Sequence, residues 1–294
     1  MKRSYKEEYQ YWLDSPALGE EEWKELSSIA EDEKEIESRF FAPLEFGTAG
    51  LRGVMATGLN RMNIHVIRWA TQAFATVVKA EGEEACKKGV VICYDCRLNS
   101  EKFAREAAGV MAANGIRVRI FDALRPTPEL SFAVIHYGAT AGINITASHN
   151  PREYNGYKVY WSDGAQLPPQ HAAAVAEEMS KIDIFHDVKR LSFDEAMASG
   201  LVEVIGAETD EAFLENVMAM SINKAVVEKV ADEFKIVYTP FHGAGYKLVP
   251  EALKRLGVKH LYAEPKQMVI DGNFPTVVSP NPENPEGFYL AVDL

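Results

Sequence analysis

The segment TASHNP, residues 146–151, follows an apolar run and contains a hydroxyl and an imidazole on adjacent residues, Ser148 and His149. If the run AGINIT is a buried strand, Ser148 lies on a rigid support in a loop that substrate can reach, which suits a nucleophile or a phosphate carrier. His149 and Lys158 are side chains that donate hydrogen bonds or move protons. A plainer interpretation is that the Asn150-Pro151 step makes a turn and Ser148 caps nearby backbone. The residues alone leave both open, because a Ser-His dipeptide is weak evidence for nucleophilic catalysis.

The residues around Ser148 argue against a serine hydrolase. On an α/β fold such an enzyme places its serine in G-x-S-x-G at a sharp strand-to-helix turn. Here Ser148 lies between Ala147 and His149, in a segment that ends with proline. The required turn is therefore missing.

A second candidate for chemistry is the segment FGTAGLRG, residues 46–53. Glycines at every third position allow backbone N–H groups to approach an anion, and Arg52 adds a fork of donors that suits phosphate oxygens. Thr48, Gly50 and Arg52 are thus candidates for binding phosphate. Taken alone, the segment is more typical of a plain surface loop, because glycine-rich turns with an arginine are common.

The charge balance limits the ligands that the chain can take. A formal net charge of −12 argues against a nucleic-acid partner, because phosphate backbones are held by excess Lys and Arg. A small anionic ligand requires only a local positive cluster. No apolar run is long enough for a membrane span, and MKRSYKEEYQ at the start has no signal-peptide core, so we expect no membrane partner and a cytoplasmic location. The sequence does not indicate an oligomeric state.

The three cysteines, Cys86, Cys93 and Cys96, do not form a disulfide framework. Cys93 and Cys96 make a C-x-x-C motif, which would fit a redox site or half of a zinc site. The motif begins inside the apolar run VVICY, and no second pair completes four ligands. A buried structural role is the alternative that we favour.

Apolar runs of strand length alternate with helical patterns along the chain. Residues 1–40 predict an amphipathic helical arm, with Trp23, Leu26 and Ile29 at helical spacing. Such alternation predicts an α/β protein with mostly parallel sheets and with ligands near the carboxyl ends of the strands. We expect two α/β domains, at 1–203 and 204–294. The expected strands are at 90–95, 116–121, 141–146, 158–161 and 234–239, and the expected helices at 63–81, 100–114 (capped by Ser100), 128–137, 168–181 and 246–257.

The two candidate segments together resemble one family. TASHNP is similar to the active-site loop of the α-D-phosphohexomutases, and FGTAGLRG is similar to the N-terminal signature of their phosphoglucomutase branch. YDCR at 94–97, NGYK ending at Lys158, and the segments at 238–245 and 271–286 also resemble this branch. The resemblance runs from about residue 40 to the end. It implies domain I and an incomplete domain II of a four-domain α/β enzyme.

In this family the serine of the loop is phosphorylated, and the resemblance carries that role to Ser148. It also implies that Arg52 holds phosphate, that Lys158 transfers a proton at the sugar hydroxyl, and that His149 orients groups or shares in acid–base work. The implied isomerase reaction interconverts hexose 1-phosphate and hexose 6-phosphate, with a hexose 1,6-bisphosphate as the intermediate. Glucose phosphate is the favoured substrate, and phosphopentomutase is the alternative activity.

The resemblance further implies Mg²⁺, bound in part through the phosphate on Ser148. The family holds this ion with a D-x-D-x-D run followed by Arg, which the 294 residues do not contain. Three carboxylates are the kind of hard ligand that Mg²⁺ requires. We therefore expect a polypeptide of these 294 residues to have little or no mutase activity. A non-catalytic phosphosugar-binding fragment remains an alternative.

Overall fold

Strands and helices alternate along the chain, as the apolar runs predict. The computed structural model describes residues 3–294. The strands predicted at 90–95, 116–121 and 141–146 are confirmed as β2, β3 and β4, and each is fully buried. The strands are β1 (Leu51–Val54), β2 (Val90–Tyr94), β3 (Val118–Phe121), β4 (Ala141–Ile145), β5 (Tyr154–Trp161), β6 (Val202–Ile205), β7 (Lys235–Tyr238) and β8 (His260–Ala263).

The helices fill the intervals between the strands, and those predicted at 63–81, 100–114, 128–137 and 168–181 are confirmed. Short 3₁₀ turns lie at Ala244–Tyr246 and Pro285–Phe288. The α-helices are α1 (Tyr5–Leu13), α2 (Glu20–Ser28), α3 (Glu33–Phe40), α4 (Ile64–Ala80), α5 (Glu83–Lys88), α6 (Ser100–Ala113), α7 (Thr127–His136), α8 (Pro169–Lys181), α9 (Phe193–Ala198), α10 (Ala207–Ala219), α11 (Lys224–Val230), α12 (Leu248–Arg255) and α13 (Tyr289–Asp293). None of the helices within residues 3–294 has the length and apolar character needed to cross a bilayer.

Six strands form one mixed sheet in the order β1-β5-β4-β2-β3-β6. β4, β2, β3 and β6 pair in parallel, whereas β5 is antiparallel to both of its neighbours, β4 and β1. α4, α6 and α8 pack on one face of the sheet and α7 packs on the other. The predicted α/β class with a mostly parallel mixed sheet is confirmed. Because β2 and β4 pair in register from Val90↔Ala141 to Tyr94↔Ile145, the loops that follow them leave the same edge of the sheet.

The N-terminal arm is helical, as predicted, but it folds as three short helices. Trp12 and Leu26 are fully buried and attach the arm to the first sheet's helices, whereas Trp23 is half exposed. The prediction that Ser100 caps α6 is wrong. Asn99 occupies the cap position, and the Ser100 hydroxyl instead donates a hydrogen bond of 2.8 Å to Asp95.

A second unit follows the six-stranded sheet and contains α10 to α13. Its strands β7 and β8 pair in parallel, and α12 packs against β8. The domain boundary expected at residues 203/204 falls inside β6, which pairs with β3 in the first sheet. The first sheet thus extends two residues past the expected division.

Candidate active site

The Ser148 loop lines a cleft of about 380 Å³ at the carboxyl ends of β2 and β4. Side chains of the first sheet's loops form one wall, and turns of the second unit form the other. This location agrees with the prediction that ligands bind beyond the carboxyl ends of the strands. The lining includes Asp95, Arg125, Thr146, Ser148, Phe241 and Phe274.

Ser148 is exposed in this cleft and lies three residues after the end of β4. Its backbone N–H donates to the Thr146 hydroxyl at 3.0 Å, and its own Oγ lies 3.3 Å from Nδ1 of His149. Ser148 caps none of the described helices. The geometry therefore favours the nucleophile or phosphate-carrier interpretation over the capping one.

Strained backbone concentrates around Ser148. Its φ of 60° lies in the left-handed region, which costs a non-glycine residue about 1–3 kcal/mol. Phe241 and Phe274, which line the same cleft, also have positive φ, at 48° and 51°. Strain of this kind persists only where surrounding contacts over-determine it, and it clusters at functional sites.

Positive side chains approach the Ser148 loop from β1 and β5. Nη1 of Arg52 donates to Oδ1 of Asn150 at 3.2 Å, which joins the two segments that the sequence singled out. Lys158, half-buried on β5, has a pKa lowered by burial and by the nearby charge of Arg52. A lowered pKa raises the unprotonated fraction of the amine at a given pH, and the unprotonated amine is the form that accepts a proton. The acidic chain thus contains the local positive cluster that a small anion requires.

The glycine-rich segment is not a cradle of free N–H groups. The N–H of Gly50 donates to the Gly47 carbonyl at 2.8 Å, and the N–H of Gly47 donates back at 3.2 Å. The N–H of Gly50 is thus engaged within the turn, and the role of Gly50 in binding phosphate stays a prediction. The segment also forms strand β1 rather than a plain surface loop, and it positions Arg52 opposite Gly156. Thr48 is exposed in the turn.

Two residues that the sequence did not select hold the site together. Arg97 is 3% exposed, and its guanidinium donates to backbone carbonyls of the Ser148 loop. Asp95 accepts from the Arg97 N–H at 2.9 Å, and its Oδ2 lies 3.3 Å from Arg97 Nε. Burial raises the pKa of Asp95 against the opposing effect of Arg97. The YDCR motif contains both residues and was the signal that could have identified them.

The turn around His242 in the second unit is structural. Nδ1 of His242 donates to the Val269 carbonyl at 2.7 Å, and Nε2 lies 2.8 Å from the Thr276 hydroxyl. The ring is 1% exposed. Both nitrogens are therefore engaged in holding the turns that face the cleft.

The cysteines do not support a redox site. Cys93 is fully buried, and burial raises its pKa far above the ordinary value. Burial also raises the pKa of Cys96 to about 12. A redox cysteine requires the opposite shift, so the C-x-x-C hypothesis is wrong in its main requirement.

We expect both thiols to resist alkylation in the folded chain. At pH 8 the raised pKa leaves Cys96 about a thousandfold less thiolate than an ordinary cysteine. Iodoacetamide labelling followed by peptide mass spectrometry should show slow modification of Cys93 and Cys96, and rapid modification of both in guanidinium. Fast labelling of either thiol in the native chain would restore the redox hypothesis.

The residues present do not complete a magnesium site. Within residues 3–294, no three His, Cys, Asp or Glu side chains gather closely enough to hold a metal ion. Asp95, a carboxylate that lines the same cleft as Ser148, already accepts bonds from Arg97 and Ser100. The expectation of Mg²⁺ therefore stays a proposal.

Family models match both units. The model described as "Phosphoglucomutase/phosphomannomutase, alpha/beta/alpha domain I" matches residues 43–185, and the corresponding domain II model matches residues 211–294. Together they cover most of the chain, including the Ser148 loop and both walls of the cleft.

Similar proteins carry related names. A phosphoglucomutase of Staphylococcus saprophyticus is 35% identical over 263 residues, which are 89% of this chain and 46% of that protein. A human phosphopentomutase is 36% identical over 287 residues, 94% of this chain and 46% of that protein. The solved structure of a putative phosphomannomutase from Thermus thermophilus superimposes with a TM-score of 0.68 at 26% identity, over 86% of this chain and 52% of that one. The chain spans about half the length of the curated relatives it matches.

Proposed function

Because the chain belongs to the phosphoglucomutase/phosphomannomutase family, we propose that Ser148 carries a phosphoryl group which it exchanges with a sugar phosphate. The observation that supports this most directly is the exposure of Ser148 in a cleft between the two units, in a strained backbone conformation. A phosphoserine brings about −1.5 to −2 charges, and Arg52 supplies compensating positive charge.

The proposed step transfers the phosphoryl group from Oγ of Ser148 to a free hydroxyl of the sugar phosphate. The bond from Oγ to phosphorus breaks, a bond from the sugar oxygen to phosphorus forms, and the hydroxyl proton leaves through Lys158. Arg52 holds phosphate oxygens, and His149 orients the serine oxygen at 3.3 Å. The bisphosphate that results turns over and returns its other phosphoryl group to Ser148. Such transfer depends chiefly on positioning and on neutralising the oxygens.

We propose glucose phosphate as the substrate and Mg²⁺ as the ion that neutralises the transferring group when its ligands are supplied. Pentose phosphate is the second candidate, because the human relative at similar identity is named a phosphopentomutase. We expect slow or no conversion of glucose 1-phosphate by a polypeptide of these 294 residues, because the described ones, 3–294, offer no carboxylate cluster for the ion.

The test is phosphoryl uptake from glucose 1,6-bisphosphate with Mg²⁺ present. Intact-mass measurement over a long incubation is expected to show a slow gain of one phosphoryl group, and peptide mapping should locate it at Ser148. Ser148→Ala should abolish the gain, whereas Ser162→Ala, at an exposed serine in the turn after β5, should not change it.

Uptake that persists in Ser148→Ala would refute the proposal. Tight binding of the bisphosphate without uptake would instead select the non-catalytic phosphosugar-binding alternative. The same assay with ribose 1,5-bisphosphate compares the two sugar classes.

A further inference from the structure

The four consecutive carbonyls of residues 148–151 are all held by side chains from outside the loop. The Arg97 guanidinium donates hydrogen bonds to the carbonyls of Ser148, Asn150 and Pro151, at 2.9, 2.7 and 2.9 Å. The hydroxyl of Ser279 in the second unit donates to the remaining carbonyl, that of His149, at 2.8 Å. The conformation of the loop is therefore imposed by these two partners and not by a regular strand or helix.

Arg97 is fixed on its own side by Asp95. Its side chain has no exposed surface, and Nη1 also donates to the Tyr154 carbonyl at 3.2 Å. A planar guanidinium can serve several carbonyls at fixed angles, which a lysine ammonium on a flexible stem cannot do. The position therefore depends on the shape of arginine as well as on its charge.

The second unit closes on Arg97 from the other side. The Phe274 ring centroid lies 5.2 Å from the Arg97 guanidinium carbon, a cation–π arrangement, and Phe274 is 4% exposed. Gly272 lies so close to residues 96–98 that an added Cβ would come within 2.6 Å of the Cys96 carbonyl oxygen and of the Leu98 nitrogen. Residues 272–279 thus contact both Arg97 and the Ser148 loop, and we name them the second-unit latch.

We propose that Arg97 is a positioning residue through which the second-unit latch holds Ser148 in its left-handed conformation, with Oγ directed into the cleft. The catalytic consequence rests on the function proposed above, whereas the effect on the loop does not. A loop held from both units keeps the serine oxygen in place only while the two units are closed on each other. Phosphoryl uptake by Ser148 therefore depends on contacts that the first unit alone cannot make.

The test measures amide hydrogen exchange in residues 147–154, where the N–H groups of Ser148, Asn150 and Tyr154 are hydrogen-bonded. Arg97→Lys is expected to speed exchange there by about tenfold, since at least two net hydrogen bonds are lost. Phe274→Leu and Ser279→Ala are each expected to speed it by about threefold. Exchange in the core strands β2 and β4 should not change, which shows that each variant remains folded.

Matched controls exist at arginine–aromatic pairs away from the cleft. Arg119→Lys removes a buried guanidinium 4.8 Å from the Tyr137 ring, and Phe193→Leu removes a ring 5.0 Å from Arg105. Neither should alter exchange in residues 147–154. Unchanged exchange in Arg97→Lys would refute the positioning role, and unchanged exchange in both latch variants would refute the coupling between the units.

A second readout separates positioning from simple structural support. In the uptake assay Arg97→Lys should lower the maximal rate of phosphorylation at least about tenfold, while the half-saturating bisphosphate concentration changes little. A changed half-saturating concentration with an unchanged maximal rate would contradict the inference. If the wild-type chain takes up no phosphate, the proposed function fails, and the exchange measurements still decide the role of Arg97.

Discussion

Replacing Gly50 by alanine is expected to destabilise the chain by about 4 kcal/mol or more, a size that point substitutions rarely reach. Gly50 has a φ of 75°, and a Cβ at this position would lie 1.9 Å from the Tyr157 carbonyl oxygen. Relief of this clash requires β1 to move away from β5 at the point where Leu51 pairs with Tyr157. Urea unfolding followed by circular dichroism measures the loss.

Gly115→Ala is a matched control for the conformational part of this effect. Gly115 has a φ of 76° and is exposed after α6, and an added Cβ would meet nothing within 4 Å. Its substitution should destabilise the chain by only about 1 kcal/mol, because a left-handed alanine is strained even where there is space for it. Similar losses in the two variants would show that the close approach to Tyr157 is not what requires glycine at position 50.

The same displacement would move Arg52, which follows Gly50 by two residues on β1. Arg52 contacts Asn150 in the serine loop, so its shift weakens the positive cluster around Ser148. The glycine signature therefore acts on the site through backbone geometry. The spacing of the glycines predicted a direct role in binding anions. The backbone pairing of Gly47 with Gly50, which occupies these N–H groups, cannot be predicted from that spacing.

The central strands were predictable because each is a continuous apolar run. VVICY and AGINI are buried on both faces, so nearly every position is apolar or small, whereas an amphipathic helix or strand alternates apolar and polar positions. β1 was missed since Arg52 and Gly53 interrupt its apolar character. The short pieces β6 and β8 carry charged or polar residues and are defined only by pairing with neighbours that are distant in the sequence.

The serine loop was predictable from its motif, whereas the contacts that hold it were not. Arg97 contacts carbonyls 51 to 57 residues away along the chain, and carbonyls have no sequence signature. The Ser279 contact with the His149 carbonyl spans 130 residues and joins the two units. A motif identifies side chains that act directly on a ligand. Side chains that bind backbone carbonyls, such as those of Arg97 and Ser279, are identified only from the folded structure.

A buried ionic cluster joins the two units beside the cleft. Asp210 receives hydrogen bonds from Arg125 at 2.5 and 3.1 Å and from Lys247 at 2.5 Å. These bonds outweigh burial, which acts to raise the pKa of Asp210, and the net effect is a lowered pKa. Glu129 has no exposed surface, it lies within hydrogen-bonding reach of Asp210, and its Oε2 is 3.8 Å from Arg125 Nε. The Arg125 guanidinium is thus paired with Asp210, and among the described residues, 3–294, Glu129 has no cation within hydrogen-bonding distance.

Burial and the neighbouring Asp210 raise the pKa of Glu129 to about 8 from an ordinary value of 4.5. Between these two pH values the folded chain binds a proton that the unfolded chain has lost, so the free energy of unfolding falls as pH rises. The slope contributed by this group is at most about 1.4 kcal/mol per pH unit. The lowered pKa of Asp210 acts below pH 3.8 and stays outside this window.

Glu129→Gln should remove this pH dependence, because the amide resembles the protonated carboxyl in shape and does not ionise. We expect the variant and the wild type to have similar stability at pH 5 and the variant to be more stable by about 2–4 kcal/mol at pH 8. Urea unfolding at both pH values measures the difference. Glu215→Gln, at an exposed position on α10, should leave the wild-type pH dependence intact. Parallel stability curves for Glu129→Gln and wild type would mean that Glu129 is already ionised at neutral pH in the folded chain, as it is in the unfolded one.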